Sequence, residues 1–471
     1  MCLITGGINL TKEEIVKMII TGKHRGPDSF GVWSDGLVIK SEDFSEIKEI
    51  RGGNVVLAQC RLAMTGSKNY TQPFYNDIVL VHNGEIYNHE SLRKWLIERG
   101  ASFESDVDSE VILRLLEYFI FDKKMKVEEA VKKAMLMLRG DYAVAFALNG
   151  KIYLFRDPIG VRPLYYSPRG RFGSEKKVLW SVGEEAIPVN PGELVKLPEE
   201  EKMKLLSPWD IKGSGKGYYD GLKNLLQDAV RIRTAKKVGV LFSGGLDSSL
   251  IALLASKYSK VVLYTAGTED SKDVEWARKV SDELRLELRE YIFTREEVER
   301  EIKNVMFAIE EPNPMNLAIA IPLYFATKLA RKDDVKVLLS GQGADELFGG
   351  YAKYLENPSL MRKDIEEIAE RNLGRDDKVG MLNGVEVRYP YLDLPFVSLA
   401  LRVPLEEKIR EGVRKAILRR IALDFGLPEE VAFREKKAAQ YGSNAQKILS
   451  KIAKKSLREF AQKLFSEVFS T

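Results

Sequence analysis

Three stretches of this 471-residue chain carry residue types that could do chemistry. Residues 243–249 read SGGLDSS and follow the apolar run VGVLF. Gly244 and Gly245 let backbone N–H groups come close to an anion. Asp247, Ser248 and Ser249 open a helix whose N-terminal dipole end favours the same anion. A tight turn with a capped helix would need the Ser or the Asp, but not two glycines and a doubled serine. The pattern predicts a phosphate-binding loop. Residues 340–351, SGQGADELFGGY, follow VKVLL. Their small residues allow close backbone approach, and the acids Asp345 and Glu346 suit a hard cation. The third stretch is the start of the chain. Removal of Met1 would leave Cys2 with its thiol beside its own α-amine, which has a pKa near neutrality and suits a general base. Such a nucleophile needs no histidine, which fits a chain whose only histidines are His24, His82 and His89.

The elements that must position these residues fall into two groups. Residues 1–190 are dominated by short β-rich runs: VVLAQCRLAM (55–64), DIVLVHNGEIY (77–87), DYAVAFALNGKIYLFRD (141–157) and PLYYS (163–167). Asn149-Gly150 between alternating runs predicts a tight hairpin. Apolar residues at helical spacing predict helices near 89–99 and over 109–138. An α+β domain on antiparallel sheets is expected. Residues 198–217 are polar, with Pro and Gly, and read as a linker. The GSGKG within them lacks the spacing of a P-loop. From 218 the strands KKVGVLF (236–242), KVVLYTAG (260–267) and VKVLLS (335–340) alternate with the helices SLIALLASKY (249–258) and DVEWARKVSDEL (273–284). That alternation predicts an α/β domain with a doubly wound parallel sheet. The last hundred residues read as mostly helical. Domains are expected at 1–195 and 205–471.

Composition narrows the function. Apolar residues make up 45% and charged residues 30%, as in a soluble globular protein. With 73 basic and 69 acidic residues the net charge is +4, and no basic block marks a nucleic-acid footprint. Two cysteines, Cys2 and Cys60, exclude a disulfide framework and a multi-cysteine metal centre. Cys60 is expected to be a buried apolar residue. The N-terminus lacks the features of a secretory signal, and the apolar stretch 315–330 is too short and too polar for a bilayer. No membrane association and a cytoplasmic location are expected. Abundant Lys, Glu and Arg with little Gln hints at a thermophilic source.

SGGLDSS resembles the pyrophosphate loop of the ATP-pyrophosphatase family, whose members cleave ATP to AMP and pyrophosphate. SGQGADELFGGY is similar to the loop that accompanies it in the asparagine synthetase branch, and SKDVEWARKVSDEL, EVRYPYLD (386–393) and REK (434–436) resemble further landmarks of that branch. The resemblance implies that Ser243, Gly244, Gly245, Asp247 and Ser248 bind ATP, and that Asp247 and Asp345 hold Mg²⁺ on its phosphates. It implies that the adenosine edge falls at Leu241, Ala266-Gly267 and Ser340-Gly341, and that Lys436 stabilises the acyl-adenylate reaction. In the first half, HRGPDSFG (24–31), CRLAM (60–64), QPF (72–74), HNGEIYN (82–88), SDVDSEVIL (105–113), LRGDYAVAF (138–146) and RDPIGVRPLYY (156–166) resemble the class-II glutamine amidotransferase domain. That domain is an antiparallel sandwich of the N-terminal-nucleophile type. Arg61 would take the glutamine carboxylate, Asp108 its ammonium, and Glu85 would help bind it. Asn83 and the Gly84 N–H would form the oxyanion hole for attack by Cys2.

Three departures stand out. Leu3 follows Cys2 where the family often has Gly. The segment between Gly349-Gly350-Tyr351 and residues 375–381 is short. Gln342 stands where the branch has a Glu implicated in forming or resolving the β-aspartyl-adenylate, and a Gln cannot take up a proton. The first expectation is therefore a glutamine-hydrolysing asparagine synthetase acting on glutamine, ATP and aspartate, as a homodimer. The second is a related amide-forming ligase with another carboxylate acceptor. The third is a non-catalytic glutamine or nucleotide sensor, which the intact SGGLDSS, Cys2, Arg61, NGE and Asp108 oppose.

Overall fold

Period-two burial organises the first part of the chain. In the computed structural model, which describes residues 2–63, 71–211, 217–434, 442–454 and 456–469, the strands Cys2–Leu10 and Gly53–Arg61 pair antiparallel, with Cys2 opposite Arg61. Leu3, Val56, Ala58 and Cys60 point into one core, together with Ile15, Met18 and Ile19 of the helix Lys12–Gly22. Ile4, Val55 and Leu57 point the other way, into a core shared with Val79, Val81, Ala143, Ala145 and Leu154. A strand buried on both faces between layers alternates in this way. The first pair belongs to a seven-stranded sheet, and Val79–Ile86, Gly140–Leu148 and Lys151–Arg156 to a six-stranded one. The shared apolar layer makes the two a sandwich. The hairpin at Asn149-Gly150 is present, with both residues at positive φ and Leu148 opposite Lys151.

The chain divides into two compact units, Met1–Asp210 and Ile211–Thr471. In the second, five strands run parallel in the order Glu287–Ile292, Lys260–Gly267, Lys237–Leu241, Val337–Leu339, Glu386–Arg388. Val262, Tyr264 and Leu338 pack on the helices Arg295–Ile309 and Pro314–Lys332, while Val261 and Leu263, of opposite parity, are buried on the other face. Burial on both faces is what a doubly wound sheet requires. The apolar stretch 315–330 lies in the helix Pro314–Lys332, and among the described residues no helix is long and apolar enough to cross a membrane.

Three local readings change. The helix expected over 109–138 is two, Ser109–Glu117 and Val127–Met137, separated by a wide turn and by Lys124 at positive φ. Part of the expected linker, Glu201–Lys204, is an exposed edge strand paired with Glu193–Leu197; its charged residues are those an edge strand tolerates. The strand Glu287–Ile292 (ELREYI) was not expected, because its mostly polar, half-exposed residues lack the apolar run of its neighbours.

Candidate active sites

The amidotransferase-like residues gather where the two sheets of the first unit face each other. Cys2 has the parity of Ile4 and Asn83 that of Val79 and Val81, so both face the space between the sheets. The Cys2 backbone N–H donates to Asn83 Oδ1 at 3.0 Å. Asn83 is fully buried, and its Nδ2 has no hydrogen-bond partner among the described residues. An amide donor left free in a buried site is what an oxyanion hole needs. Gly84 has φ +151, and a Cβ there would lie 2.0 Å from the Asp141 carbonyl oxygen and 2.8 Å from His82 Nε2. Only glycine fits beside that oxygen.

Arg61 is buried and held in register opposite Cys2 and Ser29. Glu85 is buried on the same strand face as Asn83. Asp108 is also buried, and its Oδ2 accepts from the Ile86 N–H at 2.8 Å, which ties it to the strand carrying Asn83 and Glu85. Burial pushes the Asp108 carboxyl upward, against the opposing pull of that N–H. Cys60 is fully buried on the opposite face of its strand, and burial raises its thiol far above the usual range. It is a core residue, as expected.

Several supporting residues were not singled out from the sequence. Gln72 Oε1 accepts from the His82 N–H at 2.6 Å, while its Nε2 donates to Ser109 Oγ, which also meets His82 Nδ1 at 2.9 Å. This network fixes the strand one residue before Asn83. Arg25 donates from Nε to the Cys2 carbonyl and from Nη1 to Glu175 at 2.8 Å. Burial alone would raise the Glu175 carboxyl, but Lys177, His24 and Arg25 together hold it well below the usual range.

In the second unit the strand Lys237–Leu241 leads through SGGLDSS into the helix Leu246–Ala255. Gly244 has φ +67, and its carbonyl accepts from Trp276 Nε1 at 2.7 Å. A Cβ at Gly341 would lie 2.9 Å from Asp247 Cβ, so the two Gly-rich loops pack directly on each other. Ser243, Gly245, Asp247 and Ser248 line a cavity of about 90 Å³ with Gly350, Asp273 and four cations, Arg414, Lys415, Arg419 and Arg434. A cavity with Gly245 and the serines of the phosphate loop on one wall and guanidinium groups on the other suits a polyphosphate.

Leu241, Gly244, Ala266, Ser340, Gly341 and Asp345 were expected near the nucleotide but do not line this cavity. Ala266 belongs to the core beneath the sheet. Ser340 Oγ accepts from the Gln342 N–H at 3.2 Å. Lys436 lies outside the described residues.

Asp247 and Asp345 do converge, on one nitrogen. Lys415 Nζ lies 2.8 and 2.6 Å from the two oxygens of Asp247 and 2.7 Å from Asp345 Oδ1. Two carboxylates on a common cation fit the oxygen-rich requirement of Mg²⁺, whose other ligands would be phosphates and water. Gln342 donates from Nε2 to Glu346 Oε1 at 3.4 Å, and Tyr351 and Asn372 donate to the same oxygen. Burial raises the Glu346 carboxyl.

Arg434 lies in the REK stretch, where only Lys436 was given a role; Arg414, Lys415 and Arg419 were missed because they lie some 170 residues from the phosphate loop in sequence. Their one local sign is RKAILRR (414–420), which places Lys415 and Arg419 one helical turn apart.

Residues 1–199 match the glutamine amidotransferase domain, which is the class of the sandwich and its strand-borne cysteine. Residues 221–365 and 358–470 match asparagine synthase. A protein of Methanocaldococcus jannaschii, provisionally named asparagine synthetase (glutamine-hydrolyzing) 1, is 35% identical over 97% of this chain and 96% of its own length. Proteins named asparagine synthetase (glutamine-hydrolyzing) from Rattus norvegicus and Homo sapiens are each 30% identical over 90% of this chain and 81% of theirs. The chain belongs to the asparagine synthase family.

Proposed function

We propose that this protein is a glutamine-hydrolysing asparagine synthetase. Cys2 attacks the glutamine amide carbon, with the Asn83 amide and the Gly84 N–H stabilising the oxyanion; the tetrahedral intermediate breaks its C–N bond and expels ammonia, the thiol proton leaving with it through the α-amine, and water hydrolyses the resulting thioester to glutamate. In the second unit the aspartate side-chain carboxylate attacks the α-phosphorus of ATP. Pyrophosphate leaves into the cavity lined by Ser243, Gly245, Asp247, Ser248, Arg414, Arg419 and Arg434. Ammonia then displaces AMP from the acyl-adenylate and gives asparagine. Asp247 and Asp345 would hold Mg²⁺, which neutralises charge on the phosphates when bound. Lys436 would support the acyl-adenylate reaction. Family resemblance supports a homodimer, and the sequence pattern a cytoplasmic location.

One observation carries the reading: an asparagine-bound Cys2 and a cation-walled phosphate cavity occur in one chain that aligns with asparagine synthetases over nearly its whole length. Gln342 favours a second reading, an amide-forming ligase with another acceptor, because the branch's carboxylate is missing at that position. Incubation with Mg-ATP, glutamine and a panel of carboxylates, followed by mass detection of AMP and amide, separates the two. AMP formed with aspartate alone supports the synthetase. AMP formed only with a different acid supports the second reading. Glutamate release without AMP for any acid removes both.

A further inference from the structure

We infer that Lys415 is a built-in stand-in for the metal: its ammonium holds the Asp247–Asp345 pair closed in the nucleotide-free protein and leaves it when metal and ATP arrive together. The inference rests on the metal-dependent ATP use proposed above.

The geometry is specific. Lys415 Nζ touches three carboxylate oxygens within 2.8 Å, at the place between Asp247 and Asp345 that a bridging cation would take. Lys415 is a non-glycine residue at φ +59, directly before the helix Ala416–Asp424, a conformation that costs energy unless its surroundings demand it. The second glycine of Phe348-Gly349-Gly350-Tyr351 is cut to the same contact. A Cβ on Gly350 would lie 1.9 Å from Asp345 Oδ1 and 2.4 Å from Lys415 Cε. Arg414 fixes that turn by donating to the Gly350 carbonyl at 2.6 Å.

Asp345 is buried and Asp247 nearly so, and such carboxylates without a cation repel each other and bear a large desolvation cost. One ammonium hydrogen-bonds Asp247 and forms an ion pair with Asp345, which keeps their oxygens converged. It also competes with any divalent ion that arrives alone. A metal carried on a polyphosphate changes the balance, because the phosphates offer the displaced ammonium new anionic partners in the same cavity. Metal and nucleotide therefore load as a unit.

Mn²⁺ binding, followed by the loss of the free-ion paramagnetic signal, tests this on the full chain without turnover. Wild type and Lys415→Met are titrated with Mn²⁺ alone and with Mn²⁺ plus an ATP analogue bearing a methylene bridge between the α- and β-phosphates. Without nucleotide, Lys415→Met is expected to bind Mn²⁺ about tenfold or more tightly than wild type, because the competing cation is gone. With the analogue present the advantage should shrink or reverse. Lys415→Arg keeps the charge and should show no gain without nucleotide. Equal or weaker Mn²⁺ binding by Lys415→Met without nucleotide overturns the inference. If Lys415→Met folds only when Mn²⁺ is present, the stand-in role is supported. If it stays unfolded with Mn²⁺, the lysine has a role that the metal cannot fill, and the inference falls. Failure of wild type to bind the analogue with Mn²⁺ would instead count against the ATP-using reading, and the comparison without nucleotide would still decide the role of Lys415.

Discussion

At Asn83, one side-chain amide is divided between two tasks. Its oxygen holds the Cys2 N–H, and its buried nitrogen has no hydrogen-bond partner among the described residues. Asn83→Ala should lower glutamine turnover by about 10²–10³, the usual loss for one oxyanion donor, and leave ammonium-dependent synthesis intact. Cys2→Ala should abolish glutamine-dependent amide formation and spare the ammonium-dependent reaction. A Cys2→Ala protein that still hydrolyses glutamine would remove Cys2 from the chemistry. Gly350→Ala should leave glutamine hydrolysis unchanged and weaken the ATP reaction by about tenfold or more, since the added methyl has no room between Asp345 and Lys415. An unchanged ATP dependence in steady-state kinetics would contradict that. At this scale residue type alone singled out Cys2 and SGGLDSS as candidates, whereas Asn83 could be singled out only through the family resemblance. Lys415 was not legible, because an isolated lysine in a sequence carries no sign of the carboxylates it will meet.

Elements were legible where burial gave them a clear period. The strand Lys260–Gly267 is buried on both faces and reads as an apolar run, whereas Glu287–Ile292 at the sheet edge does not. The connection between the phosphate loop and the next helix could not be read from either segment alone. Trp276, on the helix Lys272–Leu284, donates to the Gly244 carbonyl and lies under the Arg434 guanidinium, whose centre is 4.8 Å from the ring. Arg434 in turn donates to the Ser243 carbonyl at 2.7 Å and pairs with Asp273 of the same helix. That helix thus pins both the loop and a cation of the cavity. Trp276→Phe keeps an aromatic face for Arg434 but removes the N–H, so KM for ATP should rise about fivefold, the worth of one ordinary hydrogen bond. Trp276→Ala should cost more. Equal effects from the two variants would show that the ring face contributes nothing.

Over the whole molecule, near-balanced charge concealed a concentrated one. A net charge of +4 gave no hint that four basic side chains meet over one loop. Lys415 lies 168 positions from Asp247, and only folding brings them together. The division into two units was more legible, since each has its own strand pattern, and the first owns two separate cores. Residues 1–210 expressed alone should unfold in one cooperative transition and hydrolyse glutamine; a fragment with no thermal transition would show that its cores are insufficient. The pairing of Cys2–Leu10 bears on how the chain reaches this state. That strand is made before both of its sheet neighbours, Gly53–Arg61 and Arg171–Gly173. Its second neighbour is synthesised some 160 residues later. Until then one edge of Cys2–Leu10 lacks this partner, and contacts of such long separation form slowly and leave strand edges exposed to aggregation. The strand bearing the nucleophile is thus made well before it is secured on both sides, and the yield of active glutaminase should depend on synthesis rate and chaperone supply more steeply than the stability of the finished fold would indicate.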